Sequence, residues 1–208
     1  MAAQITHIVL AKEFLKRYPI AGSERDFIVG ASFPDIRYLG TVKREVTHDL
    51  NVDLRDILNA PDGFSAGVRH HVLTDIVRNR FVLGHHAYSS VPNDKYLTEA
   101  FKFLEDEMLY GRLDDPQDAA KMFGEVLEPE RAYGLADDEI VRWHARLSEY
   151  VSQAPSPATR RRFVLGLGQT AEMADDIERT VRTLKDNHEV AEIILDLYRD
   201  FTSRLEHD

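Results

Sequence analysis

The sequence contains no cysteine and a single tryptophan, Trp143. Without cysteine there is no disulfide, no thiolate ligand and no cysteine nucleophile, so any metal must be held by nitrogen and oxygen. Positive charge is also in deficit. Lys and Arg number 26 against 36 Asp and Glu, a formal net charge of -10. Such a field repels phosphate backbones and anionic bilayers, so neither nucleic acid nor a charged membrane surface is an expected partner. No stretch approaches the roughly 18 consecutive apolar residues of a membrane span. The opening residues are interrupted by Gln4, Thr6 and His7 and lack the basic and apolar regions of a signal peptide, which gives a cytoplasmic expectation.

What is present suits a helical protein. The chain has 208 residues, 43% of them hydrophobic, enough to bury a core in one domain. Gln4 or Thr6 opens a first helix that Pro19 closes, and Ser23 with Asp26 opens a second. Phe33-Pro34-Asp35 is expected to break that helix, because a residue before proline avoids the α region. Residues 37–51 show no period and read as a loop. Asp53 caps a short helix ending at Ala60-Pro61, and a long helix runs from about Gly63 to His86. Further starts fall at Asn93 or Asp94 (to Tyr110), Asp115-Pro116 (to Val126) and Asp137 or Asp138 (to Val151). Ser156-Pro157 opens one expected to run to Lys185, and Asn187 opens the last. Strand alternation is absent. The expectation is one all-α domain, 1–208, of about eight to nine helices, with a metal-site half, 1–90, and a helical extension, 91–208.

Nine histidines are present, and six lie at or before His86. In Gly67-Val-Arg-His-His71-Val-Leu-Thr-Asp75, His71 and Asp75 are four apart and share one helix face. Imidazole and carboxylate at that spacing can bind one divalent cation. Asp35 follows a rigid X-Pro turn between Phe33 and Ile36, His48 lies 13 residues later, and His7 sits in the first helical turn among Ile5, Ile8 and Val9.

Thr6-His7, then Phe27-Ile-Val-Gly30 running into Pro34-Asp35, then His48, then Gly67-x3-His71-x3-Asp75 resembles the zinc-dependent phospholipase C family and the related single-strand-specific nucleases. The resemblance covers roughly the first 90 residues. It implies an all-helical fold and hydrolysis of a phosphodiester at clustered zinc ions. It also implies that Asp35, His48, His71 and Asp75 hold one ion, and that Asp75 bridges to a second bound by His7. The family's remaining ligand there, an N-terminal tryptophan, has no counterpart beside Met1-Ala2, and Phe81 stands where a third ion needs histidine. One nearly complete site, one partial site and one lost site follow.

The sequence also resembles bacterial acyl carrier protein phosphodiesterases and the HD-type phosphohydrolases, through Gly67-x3-His71 and the dipeptide His48-Asp49, with His7 and Asp75 able to complete that set. Asn79 and Phe81 stand where that pattern has its later Asp and His. A non-catalytic helical scaffold is the third reading. His86 lies eleven residues beyond Asp75, about 16 Å along a straight helix, too far to share its ion.

The expected chemistry is metal-assisted hydrolysis of a phosphate ester, on a small molecule or a lipid headgroup, with Zn, Mn, Fe or Ni as the ion. Asp35 is ligand or general base, and Arg37, Lys43 and Arg44 are candidates to neutralise phosphate, Arg37 by bidentate bonding. A homo-oligomer is left open. Arg160-Arg161-Arg162 reads as a solvated face, Gly166-Leu-Gly168 as close helix packing, and Trp143-His144 as core and rim.

Overall fold

Side-chain caps start most of the helices in the computed structural model, which describes residues 4–40, 42–89 and 94–206. The first half holds α1 (Gln4–Arg17), α2 (Glu24–Ser32), a 3-10 segment (Phe33–Leu39), α3 (Arg44–Thr47), α4 (Leu54–Leu58) and α5 (Gly63–Gly84). The second holds α6 (Leu97–Leu109), a 3-10 turn (Tyr110–Arg112), α7 (Pro116–Lys121), α8 (Glu128–Arg131) and α9 (Asp137–Val151). It ends with α10 (Pro157–Gly166), α11 (Ala171–Lys185), α12 (His188–Tyr198) and α13 (Phe201–Arg204). No strand occurs among the described residues. Ser23, Asp53, Asp115, Ser156 and Asn187 each accept a first-turn N–H of the helix that follows.

The helices outnumber the expected eight or nine for local reasons. The run from Ser156 to Lys185 is two helices: Gly168 takes φ 76°, which ends α10, and Thr170 caps α11. The helix opened by Pro116 stops at Lys121, and α8 follows as a separate turn. The last helix divides between α12 and α13, and α3 folds within the expected loop. Phe33 keeps α-region angles (φ -67°, ψ -42°) despite preceding proline. The chain tightens there into a 3-10 turn with Pro34 in its first positions, where a missing N–H costs no helical bond. Asp94 accepts the Tyr96 N–H just ahead of α6, whereas Asn93 and the 90/91 boundary lie outside the described residues.

The closest helix pair decides where the site forms. A Cβ on Gly67 of α5 would sit 2.1 Å from the Phe27 carbonyl oxygen, and one on Gly30 of α2 would sit 2.2 Å from that of Phe64. The two glycines therefore let α2 and α5 touch backbone to backbone. One hydrophobic cluster reaches from Ile5 to Leu205 and joins both halves. Within it the Trp143 indole N–H of α9 donates to Ser32 O at the end of α2, at 3.2 Å.

Candidate metal centre

Five side chains from four elements meet on the inner side of α5. His71 lies one turn beyond Gly67, so the close α2–α5 contact brings its Nδ1 to 2.8 Å from Ala31 O. Asp75 follows one turn later, with Oδ2 4.0 Å from His71 Nε2. His7 enters from α1, whose first turn is anchored from outside the helix: the Thr6 backbone N–H and hydroxyl both donate to Asp106 Oδ1 of α6, at 2.8 and 2.9 Å. This anchor sets the His7 ring against His71, stacked at 3.9 Å between centroids, with His7 Nε2 3.6 Å from Asp75 Oδ1. Asp35 comes from the 3-10 segment and accepts the Gln4 side-chain N–H at 2.8 Å. His48 follows α3, its ring edge-on to His71 at 5.2 Å.

Hydrogen bonds fix the tautomers. A carbonyl oxygen cannot donate, so His71 Nδ1 carries the proton and Nε2 keeps its lone pair. The Thr47 hydroxyl donates to Pro34 O at 3.2 Å, so it accepts from His48 Nδ1 at 2.9 Å and leaves the lone pair on Nε2. A backbone carbonyl or hydroxyl behind the imidazole is the usual support of a histidine ligand; His71 and His48 have one, and His7 Nδ1 has none. Burial is near complete, from fully buried His71 to His48 at 5% exposure. His48 Nε2, His71 Nε2 and Asp75 Oδ1 are all buried without a hydrogen-bond partner. Buried unpaired acceptors cost free energy and are rare. Ligand atoms of Asp35, His48 and His71 lie within 4.8 Å of one another, as do those of His7, His71 and Asp75, so either group could hold a metal ion.

The electrostatics keep these atoms in their ligating forms. Burial lowers the His71 pKa to about 3, with His7 adding to the effect. Burial likewise lowers His48 to about 4, partly opposed by Asp35. Both rings are neutral at pH 7. Burial alone would raise the Asp75 carboxyl, but Lys102, 3.7 Å from Oδ1, His7 and His71 outweigh it and hold it well below the usual range. Asp35 is lowered in the same way, burial being overcome by His71 and Lys102.

Arg37 is less free than its place in the sequence suggests. Its Nη2 lies 3.7 Å from Asp35 Oδ1 and donates to Tyr38 Oη at 2.6 Å, and the guanidinium rests over the Tyr38 ring. Lys43 and Arg44 are exposed. His85 and His86 are exposed at the end of α5, His85 stacked on Phe81. His70 is fully buried but packs on Phe14 and Phe27, and both its nitrogens lack partners. Asp49 is exposed and accepts the Asn51 N–H, so the His48-Asp49 pair does not converge on one point. His144 is core rather than rim, bonded to buried Glu130 at 2.8 Å. A cleft of about 400 Å³ beside α5, lined in part by Asn51, Asp53, Asp56 and Leu73, includes none of the five ligand candidates.

Sequence reasoning misses three contributors: Gln4, Thr47 and above all Lys102. Comparison with protein-family models, curated proteins and solved structures finds no match.

Proposed function

We propose that the protein is a metal-dependent hydrolase of phosphate esters, similar in its ligand set to the zinc-dependent phospholipases C. The convergence of partnerless buried lone pairs on His48, His71 and Asp75 carries this reading. The imidazoles of His71 and His48 are oriented by Ala31 O and Thr47 with their acceptor nitrogens facing one cluster, unlike His70, which packs on Phe14 and Phe27 away from it. Asp35, His48 and His71 would hold a divalent ion, with Asp75 beside them. Such an ion supplies polarisation of a phosphoryl oxygen and a lowered pKa for water at the site. Gln4 orients Asp35 by a hydrogen bond and Arg37 is its counter-charge; Lys102 is the counter-charge of Asp75, which His7 also faces. Arg37 keeps its Nε unpartnered, so a substrate oxygen could claim that donor. The exposed Asp49 argues against the HD-type reading.

The test is metal content together with stability. Loaded with Zn(II) or Mn(II) at about 100 times Kd, the protein gains about 2.7 kcal/mol against unfolding. His71→Ala and Asp75→Ala lose that gain and lose hydrolysis of bis-p-nitrophenyl phosphate. Wild-type protein that binds less than about a tenth of an equivalent of Zn, Mn, Fe or Ni after loading overturns the reading, since a site of this kind binds strongly at neutral pH. Metal binding without turnover of a diester or a monoester favours the non-catalytic scaffold.

A further inference from the structure

Resting on the metal-centre reading, we infer that the site takes one divalent ion, not two, and that the Lys102 ammonium stands where a second would bind. His71 belongs to both candidate ligand groups, and its Nδ1 proton is committed to Ala31 O. Only Nε2 remains, and one lone pair ligates one ion. If Asp35, His48 and His71 form the complete group, the other is reduced to His7 and Asp75. Two protein ligands fall short of the three or four that hold a zinc ion. That incomplete group already contains a cation. Lys102 Nζ lies 3.7 Å from Asp75 Oδ1, the oxygen that also faces His7, and the residue is only 8% exposed.

Charge balance points the same way. The charged side chains beside the candidate ligands are Lys102 and Arg37 against Asp35 and Asp75, and they cancel. One divalent ion leaves two positive charges, which a phosphate ester and its nucleophile can match. A second ion would add two more beside a buried ammonium, where like charges repel strongly. Lysine is a compact, fixed point charge suited to this position. The ammonium sits against Asp75 and offers positive charge to a phosphoryl oxygen without a second metal.

The experiment counts ions. Wild type, Lys102→Arg and Lys102→Glu are loaded with excess Mn(II), desalted and assayed for metal, and their electron paramagnetic resonance spectra are recorded. Wild type and Lys102→Arg are expected to hold one equivalent with the hyperfine pattern of isolated Mn(II). Lys102→Glu, which adds a third ligand beside His7 and Asp75, is expected to hold two with the broadened spectrum of a coupled pair. Two ions in wild type would overturn the inference and leave the metal centre standing. One unchanged ion in a folded Lys102→Glu would overturn it as well. If Lys102→Glu fails to fold, the wild-type count still decides, and Lys102→Met tests whether removing the charge alone admits a second ion. No ion in wild type would overturn the metal-centre reading itself.

Discussion

Asp75 and Arg78 stand about one turn apart on α5, and Lys102 and Glu105 about one turn apart on α6. The two helices thus carry two buried polar clusters side by side, built in opposite ways. Around Glu105 donors meet acceptors: Arg78 Nε lies 2.9 Å from both carboxylate oxygens, and the Tyr198 hydroxyl donates at 3.1 Å. One Arg78 nitrogen, Nη2, is left over. Around His71 three acceptors, His48 Nε2, His71 Nε2 and Asp75 Oδ1, make no hydrogen bond, although Lys102 lies 3.7 Å from the last. A paired buried network holds helices together. A buried network rich in lone pairs could hold a cation. The difference is what supports proposing one cluster as a site and the other as scaffold.

The comparison is tested hardest by removing one member of each cluster. Glu105→Ala strands the fully buried Arg78 charge and should cost about 3–5 kcal/mol in urea unfolding. His48→Gln removes the unpartnered Nε2 lone pair and one buried neutral hydrogen bond to Thr47, so the metal-free protein should lose about 0.5–1.5 kcal/mol, well short of Glu105→Ala. The same variant should lose the stabilisation that added Zn(II) gives wild type. Equal losses in the two metal-free variants would show that both clusters are structural and would break the distinction.

The parts of this contrast that sequence reveals are the local ones. Caps such as Asp53, Asp115-Pro116 and Ser156-Pro157 act within three residues, so their spacing is readable. His71 and Asp75 share a face through helical period alone, and Asp35, His48 and His7 stand out by type and order. Lys102 could not be found this way. It lies between Phe101 and Phe103 in a stretch, Ala100 to Asp106, whose residues are all buried. A helix enclosed on every side has no polar face for a period to mark. The Thr6–Asp106 and Gln4–Asp35 bonds join distant segments, so no local pattern encodes them. Phe33 and Gly168 show the complementary limit. Phe33 departs from the pre-proline preference and Gly168 takes the left-handed conformation open to glycine, and local spacing shows neither outcome.

A third buried carboxylate sharpens the comparison through pH. Asp106 accepts from the Thr6 N–H, the Thr6 hydroxyl and the Tyr150 hydroxyl, yet burial outweighs these bonds and raises its pKa to about 7. The folded value lies above the unfolded one, so the folded state holds the extra proton between about pH 4 and 7. Unfolding releases it there. Against the opposite slope of His48, His70 and His71, whose lowered values make unfolding take up protons, the Asp106 contribution falls as pH rises through that window, by at most about 1.4 kcal/mol per unit. Its contribution is complete below the unfolded pKa and gone above the folded one. The difference in unfolding free energy between wild type and Asp106→Asn, followed from pH 4 to pH 8, should isolate this slope, because the histidine contribution is common to both. Asp35 and Asp75 have lowered pKa values and act below that window, in the opposite sense: their contributions are lost as pH falls. A slope unchanged in Asp106→Asn would assign the proton elsewhere.

The smallest expected effect belongs to Arg161 and Arg162 of α10, where pairing is present but burial is not; the solvated face expected of this run does not extend to Arg160. Arg160 is buried and bonds Glu107 at 2.8 Å and Glu178 at 2.9 Å, so it belongs with the Arg78 cluster. Arg161 and Arg162 meet Asp175 and Glu149 with their side chains substantially in solvent. Water competes for those charges, and ordering two long side chains offsets most of the attraction. Arg161→Ala should therefore shift the unfolding free energy by no more than about 0.5 kcal/mol. The change should shrink further in added salt, because exposed pairs are screened. A loss comparable with Glu105→Ala would mean that pairing alone stabilises this fold. The contrast between the clusters would then rest on pairing without desolvation, and the lone pairs around His71 would lose part of their claim to a cation.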